Sequence, residues 1–335
     1  MHLLITMGDP SGVGPEVLLK SLGVIATRQR SLAGKQSRFT VIGDFGWLKH
    51  LSRRLKIPVS WNKFQWLDLP NVPPGLKPGR VQPAAGRAAH AYIEEAVRLL
   101  KAGQAGSLVT APVSKEAIVK AGIPWVGHTE FLAKAFHRPV VMMFVTGSFR
   151  VSLVTTHVSL KKLPSQLTQG KVARTIRLTR EALTRDFGIA RPRIGLAALN
   201  PHAGEGGLFG DEEKKILLPA IRSLKKPSAH PELVEGCSVA GPLPVDSLMQ
   251  AASRGAYDAV VALYHDQALI PVKLLGWERA VNVTLGLPFV RTSPVHGTAF
   301  DLAGKGRADP RSMLAALRLA QRSSLRRKEN EKMGE

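Results

Sequence analysis

Residues 2–28, HLLITMGDPSGVGPEVLLKSLGVIATR, carry the pattern that decides the fold of this chain. A short apolar run is followed by a glycine-rich turn and a longer amphipathic segment, which predicts a strand, a turn and a helix. The same order recurs in RIGLAALNP before DEEKKILLPAIRSL and in DAVVALYHD before QALIPVKLLG. Because alternating strands and helices are typical of βαβ units, the sequence predicts the α/β class with a largely parallel sheet flanked by helices.

Residues 140–157, VVMMFVTGSFRVSLVTTH, interrupt this order with two apolar runs around Thr-Gly-Ser. We expect an antiparallel hairpin there, so that the sheet is mixed but mostly parallel, and then a long helix that ends at Gly188. A chain of 335 residues is long enough for two domains, and no flexible linker is visible between them. We therefore expect interleaved domains, with residues 1–135 and 295–335 in one and residues 136–294 in the other.

The composition narrows the classes of function. The net charge of +22 could attract nucleic acid, an anionic membrane or anionic small molecules. Aromatic residues make up only 6% of the chain and no basic stretch is interleaved with them, so phosphorylated small molecules fit better than nucleic acid. No apolar run approaches the ~18 residues of a membrane-spanning helix. A single cysteine, Cys237, and a first segment without a basic leader favour the cytoplasm. The proline- and glycine-rich residues 225–244 are expected to form a surface loop.

Three histidines follow apolar runs that are predicted to be strands: His157, His202 and His265. The carboxyl ends of parallel strands meet at one crevice, and three neutral imidazoles form a ligand set that leaves open positions on a divalent ion. The sequence therefore predicts a metal-dependent enzyme with Zn²⁺, Mg²⁺ or Co²⁺ as the ion. Asp266 follows His265 directly and can orient its imidazole. For any one of these histidines, a structural hydrogen bond at a strand end is the simpler role.

Two glycine-containing turns are candidates for binding anions. The first, GDPSGVGPE, contains Gly12 and leads into the first predicted helix, whose amino terminus can face a phosphate. In the second, VGHTEFL, Thr129 is predicted to cap a helix, so that backbone amides point toward the group that His128 touches. A phosphate is the obvious candidate for that group. A plain tight turn and an ordinary capped helix are the alternatives.

Lys273, Asn282 and Arg291 recur at intervals of roughly nine residues across two strand-like runs. We expect these side chains to reach one edge of the sheet, where Lys and Arg can bind a phosphate or a carboxylate. Solvated surface charge is the alternative for each basic residue. Asp246 lies at a further predicted helix start, where capping the helix is the simpler role.

The loop at residues 295–310, VHGTAFDLAGKGRADP, is the most specific stretch of the chain. Its dense glycines allow close backbone approach, and the loop also contains a histidine and an acid, which suits contact with a nucleotide. The residues expected to bind that cofactor are Gly12, His296, Gly297, Asp301, Gly304 and Gly306.

These motifs also resemble a known family. The 295–310 loop is similar to the adenosine-binding loop of the isocitrate and isopropylmalate dehydrogenase superfamily, and GVGPEV is similar to its amino-terminal signature. The full set resembles the 4-hydroxythreonine-4-phosphate dehydrogenase family from about Leu3 to Met313, with TAPVSKEAI, GHTEFLA, LNPHAGEGGLFGDEE, GPLPVDS, YHDQALIPVK and NVTLGLPFVRTS between the two ends. The resemblance implies the two-domain fold of that superfamily, with the active site in a cleft between the domains.

The resemblance also implies the reaction: NAD-dependent, metal-dependent oxidation and decarboxylation of 4-phosphohydroxy-L-threonine to 3-amino-2-oxopropyl phosphate, a step of pyridoxal 5'-phosphate (vitamin B6) synthesis. The implied ligands of the ion are His157, His202 and His265. The implied substrate-binding residues are His128, Thr129, Lys273, Asn282 and Arg291. Lys273 and Asp266 are the further candidates for a catalytic role. In the family the metal site is shared across a homodimer, so one histidine comes from the second subunit, and we assign this role to the partner subunit's His265.

Three other functions stay open. A paralogue with the same chemistry would act on another phosphorylated hydroxy acid, such as erythronate 4-phosphate. Phosphate acyltransferases share this sheet architecture but need neither metal nor NAD, and the three histidines and the 295–310 loop speak against them. A nucleic-acid-binding role rests on charge alone. The preference for NAD over NADP follows only from the resemblance.

Overall fold

The computed structural model describes residues 2–28, 38–224 and 238–333. The chain divides into two compact units: unit 1 is Met1–Arg138 with Leu287–Leu325, and unit 2 is Pro139–Gly286 with Arg326–Glu335. The units are interleaved along the chain. The boundaries between the units fall after Arg138 and after Gly286. The sequence predicts them after residues 135 and 294. The last ten residues group with unit 2, whereas the sequence placed them in the first domain.

The strands are β1 (His2–Thr6), β2 (Arg38–Gly43), β3 (Gln65–Asp68), β4 (Ser107–Thr110), β5 (Val141–Thr146), β6 (Phe149–Leu153), β7 (Arg193–Ala197), β8 (Ser238–Leu243), β9 (Ala259–Ala262), β10 (Val281–Leu285) and β11 (Val290–Pro294). The α-helices are α1 (Gly14–Arg28), α2 (Phe45–Arg54), α3 (Pro83–Lys101), α4 (Lys115–Lys120), α5 (His128–Phe136), α6 (Leu163–Gln166), α7 (Gln169–Arg185), α8 (Leu218–Ser223), α9 (Val245–Ser253), α10 (His265–Gly276) and α11 (Arg311–Met333). None of the helices in the described ranges is both long and apolar enough to span a bilayer.

Unit 1 contains a parallel sheet in the order β3-β2-β1-β4-β11. The central strand β1 buries Leu3, Leu4 and Ile5 completely, as expected for a parallel strand that is covered on both faces. The βαβ order predicted from residues 2–28 is confirmed. Because the strands are parallel, their carboxyl ends lie at one edge, and the glycine-rich turn after β1 is at that edge.

Unit 2 contains a mixed sheet in the order β10-β5-β6-β9-β7-β8. β5 runs antiparallel to both β6 and β10, whereas β6, β9, β7 and β8 are parallel to one another. The predicted hairpin within residues 140–157 and the mixed, mostly parallel sheet are therefore confirmed. The three neighbouring strands β6, β9 and β7 end at the same edge, and they precede His157, His265 and His202 respectively.

Helix α7 packs on the sheet of unit 2 with one face. The residues it buries there, spaced three or four apart as on one side of a helix, include Val172, Ile176, Thr179 and Leu183. The hydroxyl of Thr168 caps its first turn. The helix ends at Arg185, earlier than predicted, and Gly188 follows with a left-handed φ of 72°.

The sequence does not predict strands β3 and β8. β8 has the sequence SVAGPL, and its Gly241 and Pro242 are poor strand formers. The strand is tolerated at the edge of the unit 2 sheet, where it pairs in parallel with β7 alone. The surface loop predicted for residues 225–244 is wrong for 238–243, which form this strand, and residues 225–237 lie outside the described residues.

Candidate active site

His157 and His265 lie side by side in unit 2. Their strands β6 and β9 are adjacent and parallel, and the two ring centroids are 6.0 Å apart. His265 is the first residue of α10, and its Nδ1 forms a 2.7 Å hydrogen bond with Asp266 Oδ1. A carboxylate on one ring nitrogen fixes the tautomer and leaves the other nitrogen as the ligating atom, which is the usual arrangement of a metal-binding histidine. The pair therefore fits two positions of a divalent-ion site.

His202 lies in a left-handed turn beyond β7. Residues 202–206 all have positive φ, with 52° at His202 and 42° at Glu205. The His202 Nδ1 is 2.7 Å from Glu205 Oε2, and its side chain is 74% exposed. In the ranges that the structure describes, no three His, Cys, Asp or Glu side chains come together in a way that could hold one ion. One chain thus brings two of the three predicted ligands together and leaves His202 apart from them.

The buried acid Glu213 holds the chain that leads into the His202 turn. Its Oε1 accepts hydrogen bonds from the backbone N–H groups of Leu199 at 2.8 Å and Asn200 at 2.9 Å, and its Oε2 accepts one from the Asn200 amide at 2.9 Å. Burial alone would raise the pKa of Glu213, but these hydrogen bonds outweigh it and the pKa is lowered. A charged Glu213 therefore fixes the strand end, a role that the sequence does not signal.

Asp246 lies in the first turn of α9 near His202, but it does not cap the helix, since the capping position is occupied by Pro244. Hydrogen bonds from Ser247 lower the pKa of Asp246, and the charge of His202 adds to the effect. The carboxylate is therefore ionised beside the third predicted ligand.

His128 and Arg291 come together in unit 1. Arg291 lies on β11 with 2% of its surface exposed, and its Nη2 donates a 2.7 Å hydrogen bond to Thr110 Oγ1. Burial lowers the pKa of Arg291 to about 10, an effect that the charge of Glu130 opposes, so the guanidinium stays charged at neutral pH. Burial also lowers the pKa of His128 well below its usual value, and the charge of Arg291 adds to this. A neutral imidazole thus lies close to a buried cation.

The His128 ring is positioned by aromatic packing. Its centroid is 5.5 Å from that of Trp125 in an edge-to-face contact, and its Nε2 is buried without a hydrogen-bond partner among the described residues. Burying a ring nitrogen without a hydrogen bond costs free energy, so the His128 Nε2 is a candidate contact for a ligand atom.

The prediction that Thr129 caps α5 is wrong. The cap is Gly127, and Thr129 is the second residue of the helix. Glu130, the third helical residue, lies over the cap: a Cβ added to Gly127 would be 2.6 Å from its Oε2. An acid at this position can reach back over the first turn, and the helix begins two residues earlier than a threonine cap at Thr129 would require.

Lys273 and Asn282 belong to unit 2. Asn282 lies on β10, and its Oδ1 is buried without a partner in the described part of the chain. Lys273 lies within α10, with its Nζ 4.9 Å from the centre of the Trp277 ring. The prediction that Lys273 lies on a strand-like run with Asn282 and Arg291 is therefore wrong. That the three residues share one pocket stays a prediction, because Arg291 belongs to unit 1.

The glycine-rich turn after β1 meets the 295–310 loop within unit 1. The Val13 N–H donates to the Thr298 carbonyl at 2.9 Å. A Cβ added to Gly12 would be only 2.9 Å from the Thr298 Cβ, so the close approach of the loop requires a glycine there. Gly304 and Gly306 both adopt a φ of 72°. Two motifs that are far apart in the sequence are therefore parts of one structure.

Glu16 and Lys20 on α1 clamp the far end of the same loop. Glu16 is 1% exposed and accepts hydrogen bonds from the N–H groups of Gly306 at 3.2 Å and Ala308 at 2.8 Å. Lys20 donates to Glu16 at 2.8 Å and to the carbonyls of Gly306 and Ala308 at 2.9 and 2.7 Å. The loop is thus fixed in advance, with Gly297 and Asp301 at its surface, as a binding site for an extended cofactor requires. The hydrogen bonds of Glu16 are a second feature that the sequence does not reveal.

The parallel strand ends, the paired histidines and the clamped glycine-rich loop define an enzyme of the α/β class, built on a mixed, mostly parallel sheet flanked by helices. Comparison with known proteins gives the family. The family described as pyridoxal phosphate biosynthetic protein PdxA matches residues 26–320. The chain belongs to this family.

Individual relatives agree over nearly the whole length. The chain is 44% identical to D-threonate 4-phosphate dehydrogenase of Cupriavidus necator, over 96% of this chain and 97% of the relative. It is 41% identical to 4-hydroxythreonine-4-phosphate dehydrogenase of Caulobacter vibrioides, over 97% and 98%. Among solved structures, 4-hydroxythreonine-4-phosphate dehydrogenase from Klebsiella pneumoniae superposes with a TM-score of 0.82 at 38% identity, covering 96% of this chain and 98% of that one. The predicted family, fold class and oxidoreductase class are confirmed.

Proposed function

We propose that this chain uses NAD and a divalent ion to oxidise and decarboxylate a phosphorylated hydroxy acid in pyridoxal 5'-phosphate biosynthesis. The observation that carries the proposal is the His157–His265 pair, with ring centroids 6.0 Å apart at the ends of adjacent strands and with Asp266 on the second nitrogen of His265. Membership of the PdxA family supports the same chemistry.

A divalent ion would lower the pKa of the substrate hydroxyl and stabilise the charge left by loss of CO₂, while NAD would accept the hydride. The side chains of the chain itself bind and orient the substrate. His128 is neutral and its unpaired Nε2 can bond a substrate oxygen. Arg291 keeps its charge and can bind a phosphate or a carboxylate. Thr129, Lys273 and Asn282 are proposed as further substrate-binding residues.

We assign NAD to the 295–310 loop, with His296, Gly297 and Asp301 as contacts and Gly12, Gly304 and Gly306 allowing close approach. The clamp by Glu16 and Lys20 supports this assignment, because a loop that is already ordered loses little entropy when a cofactor binds.

Three substrates are candidates. 4-Phosphohydroxy-L-threonine is favoured by the family and by the relative from Caulobacter vibrioides. D-Threonate 4-phosphate is favoured by the name of the relative from Cupriavidus necator, which is 44% identical. Both molecules have a terminal phosphate and a carboxylate β to the hydroxyl that is oxidised. They differ at the carbon between the carboxylate and that hydroxyl, which carries an amino group in the first molecule and a second hydroxyl in the other. Erythronate 4-phosphate, which differs from threonate 4-phosphate in configuration, remains a third candidate.

We infer that the active form is a homodimer in which the second subunit completes the ion site. The geometry of one chain favours the partner subunit's His202 as the shared ligand, in place of the partner subunit's His265 assigned from sequence. His157 and His265 are already adjacent in one chain, whereas the His202 turn is exposed and carries the exposed apolar side chains of Leu208 and Phe209. An exposed apolar patch beside an incomplete site is typical of an interface.

The experiment is an NADH-formation assay of the purified chain with each of the three phosphorylated acids, with NAD and with NADP, before and after treatment with EDTA. We expect NADH formation with 4-phosphohydroxy-L-threonine or D-threonate 4-phosphate, loss of turnover in EDTA and recovery when Zn²⁺, Mg²⁺ or Co²⁺ is added. His157→Ala should keep the fold and lose both bound metal and turnover. Activity that persists in EDTA, or a His157→Ala variant with full metal content, would contradict the proposal.

A further inference from the structure

The carboxyl end of β9 is tied to β7 by one buried side chain, that of Gln267, which is 7% exposed. Its Oε1 accepts a 2.8 Å hydrogen bond from the Leu263 N–H, and its Nε2 donates a 2.9 Å hydrogen bond to the Ala198 carbonyl. Leu263 is the first residue after β9, and Ala198 is the first residue after β7. The amide therefore bridges two neighbouring strand ends at the edge that carries the histidines.

Thr155, which is 6% exposed, makes the corresponding tie to β6. Its hydroxyl donates to the Leu263 carbonyl at 2.7 Å, and its N–H donates to the same oxygen at 3.1 Å. The peptide groups of Leu263 are thus held on both sides: the N–H by Gln267 and the C=O by Thr155. Both contacts are buried, so water does not compete with them.

Each tie lies within a few residues of a predicted ligand. His157 is two residues after Thr155, His265 lies midway between Leu263 and Gln267, and His202 is four residues after Ala198. A shift of either strand end would therefore be passed on to an imidazole through only a few backbone bonds. Metal coordination tolerates errors of a few tenths of an ångström, so the ligands depend on groups that hold their backbone in place.

We propose that Gln267 and Thr155 are positioning residues that set the spacing of the three histidine-bearing strand ends. The proposal rests on the metal site of the proposed function. Both side chains are engaged with backbone groups of the strand ends, so each is proposed to act through the backbone. The chemistry of the side chains suits this role, because an amide supplies a donor and an acceptor in fixed directions, whereas an apolar side chain of equal size would fill the space without setting the register.

The test compares Gln267→Met and Thr155→Val, which keep side-chain volume and remove the hydrogen bonds, with Thr179→Val as a matched control. Thr179 is fully buried in the same unit, and its hydroxyl donates a 2.8 Å hydrogen bond to Ser152 Oγ, so it ties β6 to α7 and not to another strand end. The full-length apo proteins are titrated with Co²⁺, followed by its visible absorption spectrum, and their stability is measured by urea unfolding in EDTA. We expect Gln267→Met and Thr155→Val to weaken Co²⁺ binding by about 10- to 100-fold with an altered spectrum.

The control should lose stability by a similar amount and bind Co²⁺ like the wild type. Thr155→Ser, which keeps the hydroxyl, should restore most of the affinity that Thr155→Val loses. Wild-type affinity and spectrum in Gln267→Met and Thr155→Val would overturn the proposal, as would an equal loss of affinity in Thr179→Val. Were Gln267→Met not to fold, the Thr155→Val and Thr155→Ser pair decides by the same criteria. The Co²⁺ titrations need no substrate. If the proposed substrates are wrong, NADH formation is absent while the differences in Co²⁺ binding between the variants remain.

Discussion

Asp9 is a buried acid with one paired and one unpaired oxygen. Its Oδ1 accepts a 2.8 Å hydrogen bond from the Ser11 N–H, and its Oδ2 is buried without a partner among the described residues. Burial raises the pKa of Asp9 to about 6, although backbone hydrogen bonds from Ser11, Ser114 and Gly12 oppose the shift. The folded protein therefore binds a proton at Asp9 more tightly than the unfolded chain does.

Asp9→Asn should stabilise the protein at high pH and not at low pH. Between the unfolded pKa of 3.8 and the folded pKa of about 6, the folded state holds more protons, so the contribution of Asp9 to stability falls as the pH rises through this window. Asparagine does not titrate and keeps the acceptor for Ser11. We expect a gain of about 1–3 kcal/mol above pH 6 that disappears near pH 4, measured by urea unfolding across this range. A difference that does not change with pH would contradict this account.

At the scale of residues, the sequence predicts which histidines lie at strand ends but not which of them meet. His157 and His265 are adjacent because β9 inserts between β6 and β7, an order that differs from the order along the chain. Glu16 and Asp9 lie inside a motif that the sequence singles out, yet Glu16 accepts a hydrogen bond from the Ala308 N–H and the Asp9 N–H donates one to the Pro112 carbonyl, and both partners are far along the chain. Such hydrogen bonds leave no local pattern, which is why these two residues could not be predicted.

At the scale of elements, the contact between α1 and the 295–310 loop is the feature most open to test. Lys20→Met removes three hydrogen bonds, to Glu16 and to the carbonyls of Gly306 and Ala308, and keeps the length of the side chain. We expect the KM for NAD to rise about tenfold with little change in kcat, because the loosened loop must be ordered when the cofactor binds.

The control for this prediction is Lys120→Met. Lys120 pairs with Glu116 at 2.6 Å in the same i,i+4 arrangement on α4, but both side chains are more than half exposed. This variant should leave both constants unchanged, since exposed pairs contribute little. If the two methionine variants behaved alike, the clamp would have no role in cofactor binding.

Helices and strands could be predicted from the sequence where the local pattern of apolar residues is strong. The hairpin of β5 and β6 has two apolar runs around a short turn, and α7 has a clear helical spacing of buried residues. β8 and the start of α5 could not be predicted, because the first is stabilised by pairing with β7 and the second by the acid Glu130 reaching over Gly127. Tertiary contacts override local propensity at both places.

At the scale of the whole molecule, the carboxyl-terminal segment is part of unit 2 through a buried ion pair. Arg327 Nη2 donates to Asp186 Oδ2 at 2.9 Å, and the side chains are 9% and 5% exposed. Among the described residues, Arg327→Ala leaves the buried Asp186 with the partly exposed Arg185 as its remaining ion-pair partner, so we expect a loss of about 3 kcal/mol in the free energy of unfolding.

Urea unfolding checks this prediction, with Arg322→Ala as the control because Arg322 is an exposed residue of the same helix. Equal stability of the two variants would show that the ion pair does not anchor the segment. The sequence suggests interleaved domains from the absence of a linker. It places the last residues with residues 1–135, whereas in the structure they group with unit 2, where Arg327 pairs with Asp186 across 141 residues.

The two ends of residues 139–286 lie next to each other within unit 2. Val141 near its start is paired with Leu285 near its end on antiparallel strands, and in unit 1 the rings of Phe136 and Phe289 are 4.9 Å apart. Residues 139–286 are therefore an insert whose two ends lie close together. An exchange of this insert between related chains at its two ends leaves Arg327 behind, because Arg327 lies in the separate carboxyl-terminal segment, so the new insert must carry an acid that matches it at the position of Asp186.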